Sequence, residues 1–274
     1  MRTRELAMSA RKRISRHTVP IFHGLHSAEG DRAERLTSAG TCVAFDLKTC
    51  KALVTAKHVI DDLIESTAKE PRLFYGFPQA IVRDRSTFPF VPLWEAAGRV
   101  FFDDLDVEVI PVSEEVILSF FPDVRWIDMG DTVFQEAPLN GAVVVQGYPT
   151  NRFDENFLGE LAESQYSLVT GLSKRNIEGE IEDYSPTTSF YFEHAPKANF
   201  YDGARWEERE HGPLGGLSGA GVWVEWRDSD DALPKLRLAG IQTGVFDKTG
   251  LVRATNWWSV YERLIARFPP KGQR

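Results

Sequence analysis

Cysteine is scarce in this 274-residue chain, which has only Cys42 and Cys50. So small a number excludes the disulfide framework that lets compact secreted domains hold together around a thin core. The two cysteines flank Asp46-Leu47-Lys48, a turn-like segment, so they could face each other across a hairpin. A bridge between them is conceivable, but two thiols is the reading adopted. No histidines stand at matching spacing, so the pair does not make a zinc site, and no metal or cofactor is expected. Long hydrophobic runs are also missing. No stretch approaches the ~18 uninterrupted apolar residues of a membrane span. Nor is there an excess of positive charge. The formal net charge is −8, whereas a nucleic-acid-binding body is normally basic. Neither a membrane nor a nucleic acid is therefore an expected partner.

The one basic stretch is at the start, where Arg2, Arg4, Arg11, Lys12, Arg13 and Arg16 stand against Glu5. No apolar segment follows it, so a secretory signal is not expected. Residues 1–18 read as a solvated, disordered tail, residues 269–274 as another, and the expected location is cytoplasmic.

The chain has many short runs of β-branched and aromatic residues, separated by Gly, Pro, Asp and Asn. Thr41–Phe45, Ala52–Thr55, Ala80–Arg83, Gly98–Phe102, Val107–Val112, Val143–Gln146, Gln165–Thr170, Ser189–Glu193, Gly221–Glu225 and Leu236–Gln242 all read as strands. They do not alternate regularly with long helices, which disfavours a parallel α/β sheet and favours an antiparallel barrel or sandwich. Two helices are predicted. One is short, over His58–Ser66. The other spans Trp257–Phe268, with apolar residues at 257, 260, 261, 264, 265 and 268, and is stopped by Pro269 and Pro270. A lobe boundary is expected between Val112 and Asp131.

Three words along the chain carry chemistry. His58 follows the β-like run Ala52–Ala56, Asp106 opens Val107–Val112, and Ser218 stands in Gly216-Leu217-Ser218-Gly219-Ala220-Gly221. A serine hydroxyl is a poor nucleophile until a neighbouring base removes its proton. Imidazole suits that task because its pKa lies near neutrality, and a carboxylate fixes its tautomer. The glycines allow a tight turn that points the N–H groups of Gly216 and Ser218 at a developing oxyanion. The order His–Asp–Ser is one of three known for such triads. An α/β-hydrolase is excluded, because it needs glycine where Ala220 stands and a histidine after the serine. All six histidines precede Ser218.

These residues resemble the trypsin-like (chymotrypsin-fold) serine peptidases of the bacterial type. The likeness extends to Gly40-Thr41, Leu53–Val59, Gly147-Tyr148-Pro149 and Leu238-Ala239-Gly240-Ile241, and covers residues 38–268. It implies an all-β fold of two six-stranded antiparallel β-barrel lobes, over residues 19–122 and 123–256, with a C-terminal α-helix over 257–268. The activity it implies is that of a serine endopeptidase working through an acyl-enzyme on a protein or peptide substrate. His58 would be the base, Asp106 the orienter and Ser218 the nucleophile, with Gly216 and Ser218 as oxyanion donors. Gln242, Thr243 and Gly244 would run beside the substrate, and Thr243–Val245 would wall the specificity pocket above Gly212.

Several residues depart from the family pattern. Glu108 stands where a small residue is usual, and it needs solvent or a cation if it points inward. Leu217 replaces the aspartate of secreted members, so activation by N-terminal cleavage is not expected. Gly212 and Val245 favour a small or apolar residue before the scissile bond. The alternative reading is a catalytically silent or latent domain that binds peptides. The long 151–215 segment leaves room for a regulatory partner protein.

Overall fold

The computed structural model describes residues 13–26, 33–70, 73–78, 90–91, 98–133, 142–150, 166–173, 175, 177–181, 183–194, 197–201, 206–210, 214–226 and 235–267. The strand expected at 80–83 and residue Gly212 lie outside them, as do residues 1–12 of the expected tail.

Among the described residues, two large antiparallel sheets, a separate two-stranded hairpin and a C-terminal helix form the fold. The first sheet contains β1 (Thr18–His26), β2 (Ala33–Asp46), β3 (Lys51–Ala56), β4 (Leu73–Pro78), β5 (Phe90–Val91), β6 (Val100–Phe102) and β7 (Val107–Val112). Its order is β5-β4-β1-β2-β3-β7-β6, seven strands where six are expected. The second sheet contains β8 (Ala142–Gly147), β9 (Tyr166–Gly171), β10 (Ser189–Glu193), β13 (Gly221–Trp226), β14 (Lys235–Phe246) and β15 (Leu251–Asn256). Its six strands run in the order β10-β15-β14-β13-β8-β9. A bridge from Leu172 to Phe192 joins its two edges and closes a barrel. A hairpin of β11 (Lys197–Tyr201) and β12 (Trp206–Glu210) forms a sheet of its own.

Alternation along the strands sorts the core into layers. Ile21, Cys42, Ala44, Leu53 and Ile110 fill the first lobe. Val143, Val145, Val222, Val224 and Ala254 fill the second. A third layer packs between the sheets, with Val43, Val54, Val107 and Val109 from one and Val144, Trp223, Leu238 and Ile241 from the other. Ile14 joins this layer, so the body begins inside the stretch expected to be a tail. Proline inside β1 is tolerated because at Pro20 the strand pairs with β2 alone and needs no second ladder bond.

Helices α1 (Lys57–Lys69), α2 (Glu114–Phe120) and α3 (Trp257–Arg267) decorate the sheets. In α1, Val59, Ile60 and Leu63 are buried. In α3, Trp257, Val260 and Leu264 are buried, and the Trp257 ring lies 4.3 Å from that of Phe45. The Asn256 side chain caps α3 by accepting from Trp258 N at 2.9 Å. The two cysteines do not face each other. Val43 pairs with Val54, which sets Cys42 beside Thr55, while Cys50 sits in the turn, and both thiols are free.

Glu108 points into the first lobe and is fully buried. Burial pushes its carboxyl pKa up, and the guanidinium of Arg99 on the neighbouring edge pulls it back. Arg99 is thus the cationic partner that an inward Glu108 needs. Truncating only Arg99 leaves a buried charge unpaired. We expect Arg99→Met to cost about 3–5 kcal/mol. The double variant Arg99→Met/Glu108→Leu should recover most of that loss, as read by urea denaturation. Equal losses in both would contradict the pairing.

Candidate active site

The site starts with the backbone of Asp106. A short 3₁₀ turn over Asp103–Leu105 ends at Asp106, whose φ of 51° is left-handed. Aspartate tolerates that region better than most residues because its short side chain can bond locally. Here the bonds go to the start of α1. Lys57 N donates to Asp106 O at 3.0 Å, and His58 N donates to Asp106 Oδ1 at 3.0 Å. Ala56, the residue before α1, supplies no side-chain cap. Asp106 therefore occupies two of the helix's open N–H groups, and its charge suits the positive helix end. The other carboxylate oxygen, Oδ2, accepts from His58 Nδ1 at 2.8 Å.

This pairing decides between neighbouring aspartates. Asp104 reaches the surface and binds Arg263. Asp103 pairs with Lys57 at 3.2 Å. Only Asp106 meets the imidazole. Burial pulls the His58 pKa down, but the hydrogen bond and charge of Asp106, helped by Asp62, outweigh it, so the net direction is up. Among the described residues, Nε2 of His58 has no hydrogen-bond partner.

Ser218 is held by both lobes. Turn bonds Leu217 N to Leu214 O (3.1 Å) and Ala220 N to Leu217 O (2.8 Å) shape the loop around it. Gly219 N donates to Gln242 O on β14, while Thr41 N of β2 donates to Ser218 O, at 2.8 and 2.9 Å. Gly216 and Gly219 have φ of 86° and 87°. A Cβ on Gly219 would lie 2.0 Å from Thr41 O and 2.1 Å from Thr55 Oγ1, and one on Gly216 would lie 2.5 Å from Tyr148 O. Glycine is required at both. A Cβ on Gly40 would sit 2.5 Å from Val59 Cγ1 and 3.2 Å from Ser218 O, so the serine backbone lies one glycine away from the residue after His58. Among the described residues, neither Gly216 N nor Ser218 N donates to a protein acceptor. No hydrogen bond joins Ser218 to His58. Leu217 is buried in the apolar filling of the second lobe, which accounts for a leucine at that position.

The strand expected to meet the substrate is β14. Gln242, Thr243, Gly244 and Val245 follow directly from the contact with Gly219. The register slips between Gln242 and Gly244, so Thr243 is an extra residue in a bulge. The Gln242 side chain is buried, and neither end of its amide has a partner among the described residues. The motifs give no hint of Arg253, on β15, which lies against Asp106. Its signal was a lone charge inside the apolar run Leu251–Ala254.

Among the described residues, no cluster of three or more His, Cys, Asp or Glu side chains is placed to hold a metal, and no helix is long and apolar enough to cross a membrane. No family model and no curated protein matches the chain. Among solved structures, a scabies mite inactivated protease paralogue is similar over 94% of this chain and 98% of its own, with 11% identity and a TM-score of 0.49. A structure from work on the Sesbania mosaic virus VPg protein is similar over 90% and 95%, with 14% identity and a TM-score of 0.43. Neither likeness assigns an activity to this chain.

The raised His58 pKa has a definite sign. The stability that the His58–Asp106 contact contributes is present below the ordinary histidine pKa and is lost as pH rises through the folded value. Asp106→Asn removes the charge but keeps an acceptor for the helix end. In an NMR titration of the ring we expect this variant to lower the His58 pKa. An unchanged titration would contradict the contact.

Proposed function

We propose that the chain is a serine endopeptidase with Ser218 as nucleophile, His58 as general base and Asp106 as orienter. The observation that carries the reading is the Asp106 Oδ2–His58 Nδ1 bond of 2.8 Å, which leaves Nε2 without a hydrogen-bond partner among the described residues. In this mechanism His58 Nε2 takes the Ser218 proton as Oγ attacks the peptide carbonyl. The oxyanion is met by the N–H groups of Gly216 and Ser218. The proton passes to the leaving amine, which departs to give the acyl-enzyme. A water molecule, deprotonated by the same imidazole, then releases the acid and restores the serine. Asp106 holds the ring through Nδ1 and stabilises the imidazolium.

A second reading has one observation in its favour. Ser218 and His58 are not hydrogen-bonded, which suits a latent domain or one that only binds peptides. Catalytic bonds are often long without substrate and tighten in the complex, so the active reading stands.

The two readings separate cleanly by experiment. A fluorophosphonate probe should label folded wild-type protein at Ser218, and Ser218→Ala and His58→Ala should abolish labelling. Peptide turnover by Ser218→Ala should fall to the residual left by binding and the oxyanion donors, a loss of at least ~10³-fold. A folded wild-type chain that binds peptides and takes no label would favour the binding module.

A further inference from the structure

Arg253 is a largely enclosed cation at the heart of the site, with 20% of its side chain exposed. A guanidinium in such a place is costly unless paired. Its NH2 lies 3.6 Å from Asp106 Oδ2, the same oxygen that accepts from His58 Nδ1. Among the described residues, Asp106 is its one carboxylate partner. The same nitrogen and Nε also reach the bulge. Nε donates to Thr243 Oγ1 at 3.2 Å, and NH2 donates to Thr243 O at 3.3 Å. Thr243 Oγ1 also meets Thr255 Oγ1 at 3.0 Å, and Thr255 Oγ1 donates to Leu105 O at 2.8 Å, one residue before Asp106. The Phe246 ring lies beneath the guanidinium, 6.0 Å from its carbon.

These contacts form a closed circuit from the β14 bulge to the Asp106 turn. We infer that Arg253 is a positioning residue that pins Asp106, and with it the His58 ring, to the bulged edge of β14. The inference rests on the peptidase reading for its meaning, because His58 serves as a base only when neutral. Asp106 draws a proton onto the ring, and Arg253, holding the same oxygen, counters it. The fork also takes a lone pair of the Thr243 carbonyl, on the strand expected to pair with an extended substrate. Docking at that edge and the charge on Asp106 therefore share one side chain.

The other charges nearby are committed elsewhere. Lys57 is held by Asp61 and Asp103, Asp104 by Arg263, and Glu108 by Arg99. Asp106, Asp62 and Arg253 are left to act on the ring, the two carboxylates raising its pKa and the guanidinium lowering it.

The test is the His58 titration by NMR in the full chain, together with the acid limb of kcat/KM. Arg253→Met should move both upward by about half a pH unit or more. Arg253→Gln, which keeps an N–H donor for Thr243, should do the same if the methionine variant does not fold. Arg253→Lys keeps the charge and should stay near the wild type, a rescue that a purely structural role would not give. An unmoved His58 titration in a folded neutral variant overturns the inference. An upward titration in a protein that takes no fluorophosphonate would instead overturn only the peptidase reading.

Discussion

The site depends on one aspartate in a left-handed turn. The φ of 51° at Asp106 costs on the order of 1–2 kcal/mol for a residue with a Cβ. Two backbone bonds from Lys57 and His58 offset that cost, since they satisfy N–H groups at the start of α1 that no other cap reaches. The same carboxylate then aims the imidazole through Oδ2 and pairs Arg253. Fixing the helix end and orienting the ring are thus one event. A change at Asp106 disturbs the helix, the histidine and the buried cation together.

Ser218 is positioned by an equally economical device, centred on Thr41. Its N–H holds Ser218 O, its hydroxyl donates to Gly216 O and accepts from Tyr148 N, and its carbonyl accepts from Thr55 Oγ1. One residue of the first lobe therefore clamps the serine turn of the second. The turn in turn needs glycine at 216 and 219, because the clamp brings backbone oxygens to where a Cβ would stand. His58 and Ser218 come from different lobes, and the apolar layer containing Val54, Val107, Trp223 and Ile241 packs between those lobes.

Much of this was legible in the chain. A histidine closing a β-like run, an aspartate opening another and a serine among glycines are local signals, and the turn chemistry that places them is local too. The less visible parts depend on tertiary contacts. β1 carries Pro20 and two histidines, and β15 carries Arg253, so neither alternates cleanly. α2 has only seven residues and is marked mainly by the Ser113 cap. Cys42 and Cys50 looked like possible hairpin partners until the Val43–Val54 register separated them. Arg253 is 147 residues from Asp106, and only folding reveals that it balances the charge there.

The central claim is that Asp106, His58 and Ser218 act as one unit that passes through a covalent acyl-serine. Acid-quenched intact-mass measurement after brief exposure to an activated acyl ester tests it most directly. A mass gain of one acyl group, located on Ser218, that decays with time and is absent from Ser218→Ala and His58→Ala is the expected result. An unmodified wild-type chain, or a stable acyl group on another residue, would contradict it.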